Sequence, residues 1–418
     1  MISFSRIHIN TPHYFSLIFL SLFFCTSTKE NLNDLHKRAY QSVKNNQPEK
    51  AYQLYKTIHE YTPKETAIVY NLGYICNLIG EQEEAITWYN KAIALEPDNE
   101  KAHLGRAKAR LAICDFENGW PEFEYRMADY KTYIKQFTHQ DLTPQKLAGK
   151  HIFLRAEWGL GDMIQFVLPY AKLLKSIGAT VIVQTFDALM SLFASCPYID
   201  QLIPVGKAPY YCDFQIPYLS LPMIFKTDLD SIPASPPYLF ANITLIELWK
   251  KKLECDQNFK VGLCWHAKPI YLEESPYTKR SIPLQLFEPL SSIDGISFYS
   301  LQKIHGIAKL QNLPKQFVIH HFDNDFDESN GRFMDTAALI KNIDLIISAD
   351  TSIVHVAGSL GAQTWVLLPY NAEWRWQKKR NDTPWYPYTM RLFRQKKPGD
   401  WTTVIEEVKH ALQELINM

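Results

Sequence analysis

The sequence predicts an α + α/β protein in which helical repeats precede two parallel-sheet units. A 34-residue periodicity begins at Leu32 and predicts the repeats. From residue 150 onward, short apolar strands alternate with helices, which is typical of parallel sheets covered on both faces. Two strand-to-helix turns in this region are rich in glycine, carboxylate and hydroxyl residues, and they are the candidate functional sites. The 418 residues suffice for two to three domains.

The clearest copy of the repeat is Thr66–Asn99. Its small residues Gly73 and Ala85 would let paired helices approach, while Tyr89 and Ala92 would pack toward the next copy. Copies stand in register one period to either side, and the later one is degenerate, as expected where a repeat array joins another domain. This is the pattern of tetratricopeptide repeats (TPRs), over residues 32–129. Two roles stay open: a concave groove for a partner, or a buttress for the following domain.

The remainder of the chain divides into two predicted α/β units, residues 150–243 and 258–400, joined through Pro233–Pro237 and a helix at Thr244–Glu254. A polar connector, Tyr130–Gly149, precedes them, and an amphipathic helix closes the chain within residues 401–418. The predicted strands are 151–154, 180–184, 201–204, 213–216, 260–265, 297–301, 316–320, 345–348 and 364–368.

The first candidate turn follows strand Ile152–Leu154 and contains Gly159, Gly161 and Asp162 before a helix predicted over Met163–Leu174. Asp162 is either the N-cap of that helix or a general base at the carboxyl end of a parallel sheet. The G-x-G spacing lacks the third glycine of a dinucleotide fingerprint, which disfavours a nicotinamide or flavin site.

The second candidate turn ends a buried strand and opens a helix with Asp350, Thr351 and Ser352. A helix N-terminus presents free N–H groups and the positive end of its dipole, so it suits a phosphate or diphosphate. His355 lies one helical turn after Thr351 and faces the same side. An ordinary strand–helix unit of an α/β domain is the alternative.

These segments together resemble the ADP-heptose:lipopolysaccharide heptosyltransferases, glycosyltransferase family 9, from residue 150 onward. The resemblance is carried by GLGDMIQF and DTSIVHVAGSLG, and further by VGLCWHAKP, KRSIPL, YSLQK, FMDTAALI and LPYNAEWRW, which follow one another in the family's order. More closely, the chain looks like bacterial proteins that join TPRs to such a domain. The family implies a GT-B fold, in which two Rossmann-like lobes hold a nucleotide sugar in the cleft between them and the closing helix returns to the first lobe.

The resemblance also implies roles for particular residues. Asp162 would be the catalytic base of an inverting transfer, and Arg280, with Lys279 as its neighbouring substitute, would contact phosphate. The donor diphosphate would lie on the helix opened by the second turn, next to the glycine turn; the residues concerned are Gly161, Asp350, Thr351, Ser352 and His355. No cofactor and no metal are implied, since the nucleotide sugar is a substrate. Ser352 replaces a glycine of classical heptosyltransferases, so the acceptor, protein or glycan, is left open.

Four further residues are candidate donor contacts: His266, Gln302, Lys303 and Trp374. The first three follow predicted strand ends, where ligand contacts gather. Trp374 belongs to an aromatic run with Arg375, Trp376, Trp385 and Tyr386, which either walls the sugar site or packs beneath a loop. The acidic run His320–Asp327 mimics a metal motif, but we favour a solvated loop there.

Composition restricts the partners. The 44 basic and 44 acidic residues balance, which gives no electrostatic case for nucleic acid. Seven scattered cysteines without C-x-x-C spacing disfavour a disulfide scaffold or a zinc site, and favour a reducing compartment. The function predicted is therefore glycosyl transfer with TPRs that bind the acceptor or a partner. A non-catalytic TPR scaffold with a vestigial GT-B domain is the alternative.

The first thirty residues contain an apolar run at residues 14–25, which has the length of a signal-peptide core and is short for a membrane span. Phe23 and Phe24 fit a cleavage site poorly. An export signal, a membrane-surface anchor and a misassigned start are all open. We expect a cytoplasmic protein, membrane-associated if the run is an anchor; export is the weaker alternative, because it would separate the enzyme from activated sugars.

Overall fold

The computed structural model describes residues 26–130, 142–268, 275–322 and 325–417. The apolar run at residues 14–25, most of the Tyr130–Gly149 connector, and Asp323 with Asn324 lie outside the described residues. Within the described ranges, no helix combines the length and apolar character needed to cross a bilayer.

Three antiparallel helix pairs form the N-terminal array, as the 34-residue period predicts. The helices are α1 (Thr26–Lys44), α2 (Pro48–Tyr61), α3 (Thr66–Leu78), α4 (Gln82–Leu95), α5 (Glu100–Ala112) and α6 (Phe116–Phe123), followed by a 3-10 turn, Glu124–Tyr130. Close approach of the helices requires glycine, both within a pair and between pairs. A Cβ on Gly73 of α3 would lie 2.9 Å from the Tyr89 ring of α4, and a Cβ on Gly105 of α5 would lie only 2.5 Å from the same ring.

The first lobe is a four-stranded parallel sheet in the order β3-β2-β1-β4. Its elements are α7 (Pro144–Leu147), β1 (His151–Arg155), α8 (Leu160–Ser176), β2 (Thr180–Thr185), α9 (Asp187–Phe193), β3 (Gln201–Pro204), β4 (Phe214–Pro217), a 3-10 turn (Tyr218–Ser220) and α10 (Leu221–Ile224). All four predicted strands are present, displaced by at most one residue at either end.

The second lobe is a six-stranded parallel sheet in the order β10-β9-β8-β5-β6-β7. It follows α11 (Ile243–Leu253) and contains β5 (Phe259–Cys264), β6 (Ile296–Ser300), β7 (Ile319–His320), α12 (Met334–Ile340), β8 (Leu345–Ala349), α13 (Ser352–Ser359), β9 (Thr364–Leu368), β10 (Met390–Arg394) and α14 (Trp401–Ile416). Its 3-10 segments are Leu284–Ser292, Ile307–Asn312 and Trp374–Trp376. The edge strand β10 was not predicted. The two parallel sheets confirm the predicted α + α/β architecture.

The closing helix differs from the expectation that it returns to the first lobe. The apolar face of α14, including Trp401, Val404 and Leu412, packs in one cluster with Val261 and Leu367 of the second sheet. Amphipathic periodicity predicts that one face is buried, but it does not say against which sheet.

The last repeat and both lobes share a single apolar core. Trp120 of α6 donates its indole N–H to the Thr227 carbonyl at 2.8 Å and meets Trp374 of the second lobe edge-on at 5.4 Å. Asn371 of the second lobe donates its amide to the Asn77 carbonyl of α3 at 2.7 Å. The array therefore buttresses both lobes, which is one of the two roles left open by the sequence.

Candidate active site

Sheet topology brings the two glycine- and carboxylate-bearing turns to the positions where ligands bind in open α/β sheets. In the first sheet β1 lies between β2 and β4, so the connections leave it in opposite directions. In the second, β8 lies between β9 and β5. Crevices form at the carboxyl ends of strands at such switch points. The turn after β1 and the turn after β8 occupy these two positions.

The N-termini of α8 and α13 approach each other between the lobes. A Cβ on Gly161, in the first turn of α8, would lie 2.8 Å from Cδ2 of His355 and 3.5 Å from the Cα of Ser352 in α13. The contact with His355 therefore requires glycine at position 161. The sequence had suggested that a glycine in this turn allows a ligand or a facing backbone to approach. The N-termini of two helices lie close to this contact, and a helix N-terminus is favourable for an anion.

Asp162 is not the N-cap of its helix, which begins earlier than predicted. The helix starts at Leu160 with Gly159 as N-cap, and Oδ2 of Asp162 accepts the Gly159 N–H at 3.1 Å. Its other oxygen, Oδ1, pairs with the guanidinium of Arg375 from the second lobe. The carboxylate keeps only part of its surface exposed, 17%. The candidate base is therefore already ion-paired across the cleft.

The sequence did not predict that Arg375 forms an ion pair in this site. It indicated Arg375 only as a member of the aromatic run. It lies in the 3-10 turn Trp374–Trp376 and donates a second hydrogen bond to Oε1 of the buried Gln165 at 2.7 Å. Burial would lower the pKa of the guanidinium, but Asp162, Glu373 and Asp350 hold it above its ordinary value. The side chain is therefore a permanent cation with acidic neighbours from both lobes.

A second cationic face surrounds the buried Asp350 just before α13. Arg280 donates to the Asp350 carbonyl at 3.2 Å and to the Lys268 carbonyl at 3.1 Å. Arg394, at the end of β10, donates to the Gln377 carbonyl at 2.8 Å, and burial lowers its pKa to about 10 while Asp350 opposes this shift. Burial raises the pKa of Asp350, and the nearby Arg280 and Arg375 oppose this.

Thr351 is the N-cap of α13, and its hydroxyl accepts the Ile353 N–H at 3.2 Å. Ser352, the first helical residue, is half-buried. The predicted helix opening is thus present, with Thr351 capping it, and the backbone N–H groups of the first turn point toward the N-terminus, as in any α-helix.

His355 is buried and neutral at the contact between the lobes. Its Nδ1 lies 3.0 Å from the hydroxyl of Tyr386, and its ring stacks on Trp376 with centroids 5.6 Å apart. Burial, together with Arg375 and Arg280, holds its pKa well below the ordinary value. A neutral ring can offer a hydrogen bond to a ligand but no positive charge.

Trp374, which the sequence suggested as a donor contact, is buried in the core. Its ring is buried among Trp120, Phe123 and Phe166, with centroid distances of 5.4 to 5.9 Å. The prediction of a donor contact is therefore not supported: Trp374 packs in the shared core, because the repeats supply it with apolar partners. The rings of Trp376 and Tyr386 from the same run contact the candidate site residue His355.

The three other predicted donor contacts, Gln302, Lys303 and His266, have contacts with nearby residues. Gln302 accepts the Trp265 and His266 N–H groups at 3.1 and 2.8 Å, so its amide fixes the loop after β5. Lys303 turns to Glu328, with 2.8 Å between Nζ and Oε1. His266 belongs to this loop, and its ring centroid lies 6.4 Å from that of His305.

The acidic run His320–Asp327 does not form a metal centre in the part that the structure describes. Asp327 is buried and accepts the Thr336 N–H at 2.9 Å near the start of α12, and burial raises its pKa. Among the residues that the structure describes, no three His, Cys, Asp or Glu side chains are grouped to hold a metal ion.

The chain is similar to known proteins in sequence and in structure. A family model described as TPR repeat matches residues 73–113. The chain contains TPR repeats. Protein FlbA of Caulobacter vibrioides is 22% identical over 416 residues, which covers 84% of this chain and 67% of FlbA.

Among solved structures, a family 9 glycosyltransferase from Veillonella parvula matches with a TM-score of 0.48 and 13% identity, over 64% of this chain and 97% of that one. The E. coli ADP-heptose lipopolysaccharide heptosyltransferase II matches with a TM-score of 0.42 and 13% identity, over 64% and 100% of the two chains.

Proposed function

We propose that the protein is an inverting, metal-independent glycosyltransferase that takes a nucleotide-sugar donor and a hydroxyl acceptor. The observation that carries the proposal is the close approach of the α8 and α13 N-termini between the two parallel sheets, where Gly161 contacts His355. A carboxylate, Asp162, lies on one side of this contact, and the arginine-lined surface around Asp350 lies on the other. This pairs a base with an anion site, which glycosyl transfer requires.

Each group has a defined part in the proposed reaction. Asp162 accepts the proton of the acceptor hydroxyl as that oxygen attacks the anomeric carbon from the face opposite the diphosphate. The helix dipole of α13 and the Arg280 guanidinium stabilise the charge on the departing diphosphate. His355 donates a hydrogen bond through the nitrogen that does not face Tyr386. No step requires a metal ion, because arginines and helix N–H groups supply the charge stabilisation.

The repeats border the proposed acceptor side. Lys108 of α5 lies over the ring of Trp158, with 5.6 Å between Nζ and the ring centroid. Trp158 directly precedes Gly159 and is 40% exposed. An acceptor held along the repeats would therefore reach the turn that carries Asp162. We infer that a protein or glycan binds there, and we place the reaction in the cytoplasm, where activated nucleotide sugars are made.

A thermal-shift screen with nucleoside diphosphates and nucleotide sugars tests the proposal. A ligand that binds only the folded protein stabilises it by about 2.7 kcal/mol at a hundred times its Kd. We expect a shift with one base among the ADP, UDP, GDP, TDP and CMP forms, and its loss in Arg280→Ala. Lys309→Ala is the control, because it removes an exposed cation that lies outside both candidate turns, in the 3-10 segment Ile307–Asn312, and should leave the shift intact. No shift with any form would favour the non-catalytic scaffold.

A further inference from the structure

Arg375 belongs to the second lobe by sequence but is bound to the first. Its two terminal nitrogens donate to Asp162 and Gln165, which lie on consecutive turns of α8. Its cation also lies near two rings, 5.4 Å from the centroid of Trp374 and 5.8 Å from that of Phe166. This guanidinium and Asp162 therefore form an ion pair between the second lobe and the first.

We propose that Arg375 exchanges partners during the reaction: it pairs with Asp162 while the cleft holds no donor, and it turns to the donor diphosphate when the nucleotide sugar binds. The proposal rests on the glycosyltransferase function proposed above. It makes Arg375 a donor-binding residue whose departure from Asp162 couples donor binding to the availability of that carboxylate.

The surroundings of Arg375 favour such an exchange. Asp350 and Glu373 already influence the guanidinium electrostatically from the donor side. A diphosphate offers more charge and more acceptor oxygens than one carboxylate, and the planar fork of arginine matches phosphate bidentately. The flanking rings of Trp374 and Phe166 accept the cation in either position, since their faces attract positive charge.

The exchange changes what Asp162 can do. While Arg375 donates to Oδ1 and the Gly159 N–H donates to Oδ2, both oxygens of the Asp162 carboxylate already accept hydrogen bonds. When Arg375 leaves, Oδ1 is open to the acceptor hydroxyl at the moment the donor is in place. The acceptor O–H proton then passes to Asp162, the acceptor oxygen forms the new bond to the anomeric carbon, and the bond to the diphosphate oxygen breaks with its electrons remaining on the nucleoside diphosphate.

The test is a thermodynamic cycle on nucleoside diphosphate binding, which needs no acceptor and no turnover. The Kd of ADP, UDP or GDP, whichever binds the wild type, is measured by titration calorimetry for Asp162→Asn, Arg375→Gln and the double variant. If Asp162 competes with the ligand for Arg375, Asp162→Asn should tighten binding about 5- to 10-fold, which is about 1 to 1.4 kcal/mol. This gain should vanish when Arg375 is replaced.

Removing any negative charge near an anion site also strengthens binding, so a charge control is needed. Glu373→Gln removes a carboxylate from the same neighbourhood without releasing a side-chain hydrogen bond to Arg375, and it should tighten binding less than Asp162→Asn and equally in both backgrounds. If Arg375→Gln fails to fold, Arg375→Met keeps the stem packed on Trp374 and Phe166.

The outcomes separate the two proposals. Binding that depends on Arg280 but is unchanged by Asp162→Asn, or is tightened equally with and without Arg375, overturns the exchange and leaves the glycosyltransferase function standing. Absence of binding by every nucleoside diphosphate, in the wild type and in Asp162→Asn, overturns both.

Discussion

Replacement of Trp120 should uncouple the repeats from the two parallel-sheet lobes. The side chain is 2% exposed, and its indole N–H is the hydrogen-bond partner of the buried Thr227 carbonyl at 2.8 Å. Truncation of a buried tryptophan to alanine costs about 3 to 5 kcal/mol. Trp120→Phe keeps most of the apolar contact but leaves the carbonyl without this donor, which costs about 1 to 3 kcal/mol.

The assay is urea unfolding followed by far-UV circular dichroism and by tryptophan fluorescence. Because Ala107, Leu111 and Phe123 of the last repeat lie in the same core as both lobes, we expect one cooperative transition by both probes in the wild type. Trp120→Ala should lower the unfolding free energy and separate the two curves. If the wild type already shows two transitions, and Trp120→Ala leaves the second unmoved, the buttress interpretation is wrong.

A matched tryptophan lies inside the repeats. Trp88 is 8% exposed and packs in a core made only of repeat residues. Trp88→Ala should destabilise the array but leave nucleoside diphosphate binding unchanged. Trp120→Ala should also weaken that binding, because Trp374, which it contacts, directly precedes Arg375.

Two further predictions concern the contact between the lobes. Gly161→Ala places a methyl group 2.8 Å from His355, so it should abolish the nucleoside diphosphate thermal shift while circular dichroism shows a folded protein. Since burial lowers the pKa of His355 in the folded state, the unfolded chain takes up a proton first as the pH falls below about 6.5. The stability from the neutral ring is therefore present above that pH and is lost below it, by up to about 1.4 kcal/mol per pH unit. In His355→Gln the unfolding free energy should change less between pH 7.5 and pH 5.5 than in the wild type; an equal change would contradict this explanation.

The repeats and most strands were predictable because their signals are local. The 34-residue period and the apolar strands are visible within one window of sequence, and the structure confirms them. The edge strand Met390–Arg394 was missed because it follows an aromatic, proline-containing stretch, so its short apolar and basic pattern looked like part of a loop. The helix of Asp162 was placed three residues late for a similar reason, since glycines at positions 159 and 161 looked like a turn.

The site was predictable only in its two turns. Sequence patterns indicated the helix N-termini around Asp162 and Asp350, because each turn is built from consecutive residues. The partner of Asp162 was not indicated, since Arg375 lies 213 positions further along the chain and no spacing rule links them. The burial of Trp374 in the core was not predictable for the same reason, because its neighbours Trp120 and Phe123 belong to the distant repeats.

The ion pair between the lobes also bears on the choice between an enzyme and a vestigial scaffold. Arg375 and Asp162 are 7% and 17% exposed, so both charges have lost most of their hydration. Such a pair contributes little net stability, and well-packed apolar side chains would hold the lobes together at least as well. A scaffold that needs only rigid lobes has no physical reason to place a desolvated guanidinium and carboxylate at the contact of two helix N-termini. A site that must hold an anion and move a proton needs both groups there, and the Asp162→Asn and Arg375→Gln cycle measures whether it uses them.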